Sequence, residues 1–421
     1  MSEFRDTKER PLDVLVWGAT GYTGKLVAEY LAEHYGQGEL RWGIAGRSQQ
    51  KLEDVRTQLT RRRAFLADLP LVVADAHDPV SLRRMVAQTR AICSTVGPFA
   101  LHGSALVAAC VQERTHYADI TGEVQWVRRM IDEHHDAASD AGVRIVPCCG
   151  FDSIPSDLGV QMMVEHLRDV HHQETRLVRQ VFGPSRGGVS GGTVASLLNV
   201  IEESSRDRTL RRLLADPYAL DPKGSPKTPS SPDQKGPAYD PDLRCWTAPF
   251  VMAAINTRVV RRSHALLGRT YGPRFQYGES MLSGEGPWGA LASVGVSAAL
   301  VGGLGALAIP PVRALLKRFV LPEPGDGPSE ATRERGFFRS WLVAEGEGGA
   351  KVFGRVAGHK DPGYQETAKM LAESVICLAL DQDQLTSGGG LLTPASAMGR
   401  VLRERLVRAG MTFQIDDGGS R

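Results

Sequence analysis

The sequence predicts an α/β chain, with a doubly wound parallel sheet in its first third, a second α/β (α+β) domain after it, and an apolar helical insert in that second part. Three observations carry this. Between residues 12 and 147, short apolar runs alternate with segments of helical periodicity. The first run leads directly into a glycine-rich turn. After Gly150 the alternation changes, and residues 289–312 carry no charge.

Taken in order, residues 1–11 are charged, lack an apolar core segment of the export type, and read as a disordered leader. "DVLVW", "RWGIA", "LPLVV", "RAICST", "THYADI" and "VRIVP" read as strands with helices between them, giving a dinucleotide-binding domain over 12–150. A second domain for substrate and dimerisation follows over 151–366, with a strand and a Gly-rich turn at 176–193 and a helix near 194–203. Within it, 217–241 is rich in Pro, Ser, Lys and Asp and reads as a mobile surface excursion. Residues 367–421 complete the chain as C-terminal helices.

The turn is "GATGYTG", Gly18, Ala19, Thr20, Gly21, Tyr22, Thr23 and Gly24, between the strand Val14 to Trp17 and the helical segment "KLVAEYLAEH". Glycines there permit a tight turn and close approach of backbone to a pyrophosphate, and the helix N-terminus adds partial positive charge. This is the Rossmann arrangement for a dinucleotide. The second strand ends in Gly46, Arg47 and Ser48, with no acid to bond a ribose 2′-hydroxyl. A guanidinium pairs well with phosphate, so the expected cofactor is NADPH rather than NADH. Asp75 is placed either to approach the adenosine or to cap the next helix. Thr95, Val96, Gly97 and Pro98, in "CSTVGPF", end the fourth strand with small residues and are expected beside the nicotinamide.

With 50 Lys+Arg against 48 Asp+Glu, the net charge is +2, and no global field draws the chain to nucleic acid. The six cysteines have neither zinc-site nor disulfide-framework spacing, which fits a cytoplasmic protein without a metal.

"GATGYTG", "AGRS", "TVGPF", "YADITGE" (117–123) and "CGFDSIPSDLG" (149–159) together resemble the saccharopine dehydrogenase-like oxidoreductases. "SGGTVAS" (190–196), "INTRVVRRS" (255–263), "GPSEATRERG" (327–336) and "LLTPASAMG" (391–399) extend the resemblance, nearly end to end, to the mycobacterial trans-acting enoyl reductases. The resemblance implies a second α/β domain over the nicotinamide and a C-terminal helix that returns to the Rossmann side. It implies much less about substrate, since the family includes lysine-pathway and lipid enzymes; the leading expectation is an NADPH-dependent enoyl reductase supplied in trans to a synthase and acting on a long-chain acyl or polyketide-derived lipid, carrier- or synthase-bound.

Enoyl reduction needs a donor for developing oxygen charge and a proton for the α-carbon. The candidates at the strand ends are Tyr117 and Ser153 as donors and Asp152 as an orienting group, with Asp119 and Thr121 as alternatives for capping the next helix. A competing reading is reductive amine chemistry, for which Arg258, Arg261 and Arg262 are the dense carboxylate-binding candidates. A non-catalytic nucleotide-binding, lipid-associated scaffold is a third. Residues 289–312 admit a bilayer span, a buried hairpin or dimer contact, or a wall that receives an acyl chain. Gly295, Ala299 and Gly303 have the spacing of a close helix contact, and Arg313, Lys317 and Arg318 form a basic flank suited to peripheral membrane contact. A homodimer is expected.

Overall fold

A computed structural model describes residues 9–187, 191–226, 232–309, 311–312 and 329–416. Residues 1–8 of the expected leader, the middle of the 217–241 stretch, Pro310, the basic flank at Arg313, Lys317 and Arg318, and parts of the "SGGTVAS" and "GPSEATRERG" motifs lie outside them.

The apolar runs form β1 (Leu12–Trp17), β2 (Trp42–Gly46), β3 (Leu71–Val73), β4 (Thr89–Ser94), β5 (His116–Asp119) and β6 (Arg144–Val146). They lie parallel in the order β3-β2-β1-β4-β5-β6, the doubly wound order that leaves a crevice where the winding reverses between β1 and β4. Helix α1 (Tyr22–His34) and helix Gln49–Arg62 cover one face. Helices Pro79–Val86, Ser104–Gln112 and Val124–Asp140 cover the other. Burial on both faces explains why β1 reads as an unbroken apolar run rather than an alternating one.

The second sheet contains β7 (Thr175–Phe182), β8 (Ala238–Asp240), β9 (Cys245–Pro249), β10 (Gln276–Gly284), β11 (Phe338–Gly346) and β12 (Lys351–Gly358). It is mixed, with β7 and β10 parallel and the other pairings antiparallel. Two C-terminal strands join separate sheets: β13 (Gly390–Leu391) adds parallel to β6, and β14 (Thr412–Asp416) adds to the edge at β12. Helix Thr367–Leu380 packs on β1, β4, β5 and α1. The expectation of C-terminal helices on the Rossmann side therefore misses β14, which closes the opposite sheet. One continuous apolar core runs from Val14 and Val16 of β1 to Leu342 of β11 and Val356 of β12, joining the halves.

Two further expectations are corrected. The stretch from 217 is not a loose excursion at its start: Leu220 is wholly buried, and Arg261 and Arg262 donate to the Pro217 and Leu220 carbonyls. Farther on, Asp233 pairs with Arg258. These arginines are buried and require acceptors, and the polar stretch supplies them.

Among the described residues the uncharged run forms helix Gly286–Ala308, with residues 311–312 helical again after a break at Ile309. It packs on β9, β10 and helix Gly191–Arg206. Its packed side is Gly289, Ser293 and Ser297, and a Cβ at Gly289 would come within 2.4 Å of the Gly284 backbone. Gly295 and Gly303 have nothing within 4 Å of a modest added Cβ, so the expected close-contact stripe faces outward. Trp288, Leu291, Val294 and Val301 are exposed with it. The helix is long and apolar enough to cross a membrane by composition, and 12% of its most apolar window is buried.

Candidate active site

The site begins where β1 stops. Gly18 adopts φ +89°, and a Cβ there would lie 2.7 Å from both the Thr95 hydroxyl and a Val96 methyl. The Thr95 amide donates to the Trp17 carbonyl at 3.0 Å, locking the end of β4 to the turn. Gly24 is required by packing, because a Cβ would stand 2.2 Å from the Gly18 carbonyl oxygen. Gly21 differs: its Cβ would meet only that oxygen, at 3.3 Å, so the position faces space a ligand can use. No side chain caps α1 and no acid occupies its first turn. An uncapped N-terminus behind a glycine turn fits a pyrophosphate.

At the end of β2, Arg47 is exposed. Ser48 caps helix Gln49–Arg62 by accepting from the Lys51 amide, which leaves its O–H to donate. Asp75 is exposed and accepts from the His77 amide at 2.8 Å. The cap of the next helix is Asp78 instead. Beyond β4, Glu123 accepts from the Phe99 and Ala100 amides at 2.8 and 3.0 Å. Its carboxylate also accepts from the Ser196 hydroxyl at 2.8 Å, so it ties the "TVGPF" loop to a helix of the second domain. Arg333, from the "GPSEATRERG" motif, lies over the Tyr22 ring at 5.5 Å and donates to its hydroxyl. Both ties were missed from sequence, where the motifs carried a resemblance but no partner across the chain.

The catalytic candidates separate sharply. Tyr117 is wholly buried between the sheet and helix Val124–Asp140, and its hydroxyl donates to Asp119 at 2.8 Å. It cannot reach a ligand at the sheet edge, which corrects its expected role. Asp119 also accepts from the Thr121 and Cys148 amides, so it fastens β5 to the turn after β6. Ser153 is likewise buried and donates to Asn256 at 3.2 Å, removing it as an oxygen donor to substrate.

Asp152 remains. It is partly exposed, and among the described residues nothing hydrogen-bonds its carboxyl. Burial without compensation pushes it up to about 7. One carboxyl oxygen lies 3.7 Å from where a Gly122 Cβ would be, with Met252 alongside, so the bare glycine keeps the space before Asp152 open. Phe151 packs on Phe338 and Phe182, and Phe182 stacks on Phe250 at 4.3 Å. Asp152 thus carries a protonatable carboxyl with no hydrogen-bond partner among the described residues, in the turn after β6, at the strand edge where doubly wound sheets meet ligands.

The arginine cluster is spent internally. Arg258, Arg261 and Arg262 are buried, donating to Asp233 and to the carbonyls of Leu214, Pro217, Tyr277, Leu220 and Leu391. All six cysteines are buried as free thiols, and among the described residues no group of His, Cys, Asp or Glu is arranged to hold a metal ion.

Fold and site define a two-domain, NADP-binding oxidoreductase. Residues 14–146 match the family model of the saccharopine dehydrogenase NADP-binding domain. The chain is 42% identical over 414 residues to a Mycobacterium tuberculosis protein provisionally named a trans-acting enoyl reductase, covering 96% of this chain and 97% of that one. It is 41% identical to the trans-acting enoyl reductase of Mycobacterium bovis, covering 96% and 98%. The apo saccharopine dehydrogenase (L-Glu forming) of Saccharomyces cerevisiae shares the fold, with TM-score 0.51 at 12% identity over 96% of this chain and 99% of that one. The chain belongs to the saccharopine dehydrogenase-like family, in its branch of trans-acting enoyl reductases.

Proposed function

We propose that this protein uses NADPH to reduce the α,β-double bond of a long-chain acyl or polyketide-derived thioester supplied by a separate synthase, with Asp152 as the proton donor. What supports the reading is the Asp152 carboxyl, unpartnered among the described residues, raised to about 7 by burial, and facing the space that Gly122 leaves without a side chain. A carboxyl near that value is matched to proton transfer at neutral pH. Bound NADPH supplies the hydride. Gly18, Gly21 and the α1 N-terminus would hold its pyrophosphate, Arg47 and Ser48 its 2′-phosphate, and the Thr95 to Pro98 loop its nicotinamide end. Asp152 would protonate the α-carbon from the Gly122 side, and Phe151 and Phe250 would exclude water from the acyl chain.

Helix Gly286–Ala308 extends the apolar surface. It touches helix Gly191–Arg206, which is itself tied to Glu123 at the cofactor side. We assign it as the wall that receives the acyl chain, with the catalytic half in the cytoplasm and the helix available to a lipid surface. Saccharopine-type amine chemistry is less well supported, because the arginines able to clamp carboxylates are committed to carbonyls and Asp233. NADPH oxidation against a panel of enoyl thioesters tests the proposal: consumption with chain-length preference is expected, and binding of NADPH with no consumption of any enoyl thioester would overturn it.

A further inference from the structure

A second group of side chains stands at the adenosine end of the cofactor crevice. Loops after β3 and β4 meet there although β1 and β2 separate those strands in the sheet. The His77 and His102 rings pack edge to face with centroids 5.3 Å apart. Both border a cavity of about 480 Å³, with Ala76, Ser104, Arg129 and Glu133 among its other walls. Arg129 is held in that wall by donating to the Ala100 carbonyl and the Ser104 hydroxyl.

The electrostatics of the corner favour an anion. Burial, then His77, then Arg47 hold the His102 imidazole below its ordinary value, and Glu123 opposes them only in part. Asp75 faces His77 but its carboxylate already accepts the His77 amide. Arg129 and Glu133 line the same cavity with opposite charges. The His77 imidazole and the Arg47 guanidinium thus both disfavour charge on His102. A phosphate dianion would reverse that balance by favouring the His102 imidazolium.

We propose that His77 and His102 complete, with Arg47 and Ser48, a site for the 2′-phosphate of the cofactor's adenosine ribose. This rests on the NADP(H) reading and assigns it residues beyond the end of β2. The sign of the pH dependence follows for His102: its imidazole assists binding while protonated, and that contribution is lost as pH rises through its phosphate-bound value. One charge-assisted contact corresponds to about a tenfold change in affinity.

Calorimetric titration of the full chain with NADPH and NADH, at pH 6.5 and 8.5, tests the site in wild type, His77→Gln, His102→Gln and the double variant. Comparing proteins at each pH cancels the titration of the phosphate itself. The double variant should bind NADPH about tenfold or more weakly than wild type at pH 6.5, with the gap narrowing at pH 8.5 and NADH affinity unchanged. Equal NADPH affinity in wild type and double variant at both pH values would overturn the proposal, as would an equal loss for NADH, which marks a structural role. Failure of the wild type to bind NADPH at all would instead overturn the NADP(H) reading on which it rests.

Discussion

Asp152→Asn should separate chemistry from stability in opposite directions. The wild-type carboxyl, near 7, is about half protonated at neutral pH. If it delivers the proton, turnover should fall about tenfold per pH unit above that point. Asparagine has no acidic proton, so kcat should drop about 10²- to 10⁴-fold and the high-pH limb should vanish. Folding responds the other way. The native value is raised above the ordinary 3.8, so this group's favourable contribution is fully present below about 3.8 and lost as pH rises past about 7. At about 1.4 kcal/mol per pKa unit, ionising it in place costs up to about 4 kcal/mol, less whatever water at its partly exposed edge returns. The variant should therefore melt higher than wild type at pH 8, with the gap closing toward pH 4. The assays are NADPH oxidation with an enoyl thioester from pH 5.5 to 9, and thermal melting at both ends. A variant that keeps its rate and its high-pH limb refutes Asp152 as the donor, because Asp119 and Asp157, also raised to about 7, would then be carrying the titration.

Three other outcomes are expected. Arg47→Asp should weaken NADPH by about 10- to 100-fold, from roughly 1.5 to 3 kcal/mol of lost phosphate contact, and NADH much less; equal weakening in a fluorescence titration removes Arg47 from the 2′-phosphate. Gly21→Val should abolish dinucleotide binding with the melting temperature nearly unchanged, since its Cβ meets only the Gly18 carbonyl oxygen; retained affinity in the folded variant places the pyrophosphate elsewhere. Leu300→Glu, on the half-buried flank of the apolar helix, should raise KM for long-chain enoyl thioesters far more than for short ones, because each few hundred Å² of apolar contact is worth several kcal/mol at ~25 cal/mol per Å². Equal KM values across chain lengths refute the helix as an acyl wall.

The Rossmann half was legible because its signals are local. Apolar runs gave β1 to β6, and Gly18 was readable because its φ of +89° and the contacts of Thr95 leave no space for a side chain. What failed depended on partners far away in sequence. β13 has two residues and exists only because β6 offers an edge, and β14 likewise borrows β12. Tyr117 stands at a strand end, but in a sheet covered on both faces its position does not say which layer receives the ring. The polar composition around 217–241 concealed Leu220 and Asp233, whose worth lies in serving buried arginines. In Gly286–Ala308 nearly every residue is apolar, so spacing alone chose Gly295, Ala299 and Gly303, while the contact was made by Gly289, Ser293 and Ser297.

The central claim is reduction of a carbon–carbon double bond by hydride from NADPH. Its most direct test is to incubate the protein with NADPH deuterated at C4 on each face in turn, together with a long-chain 2-enoyl thioester, and to read the product by mass spectrometry. The expected product is a saturated thioester carrying one deuterium at the β-carbon, from one face of the cofactor only, with the α-hydrogen drawn from solvent. Unreduced enoyl thioester beside intact, bound NADPH would contradict it, as would deuterium appearing only in an amine when an oxo acid and an amine donor are supplied.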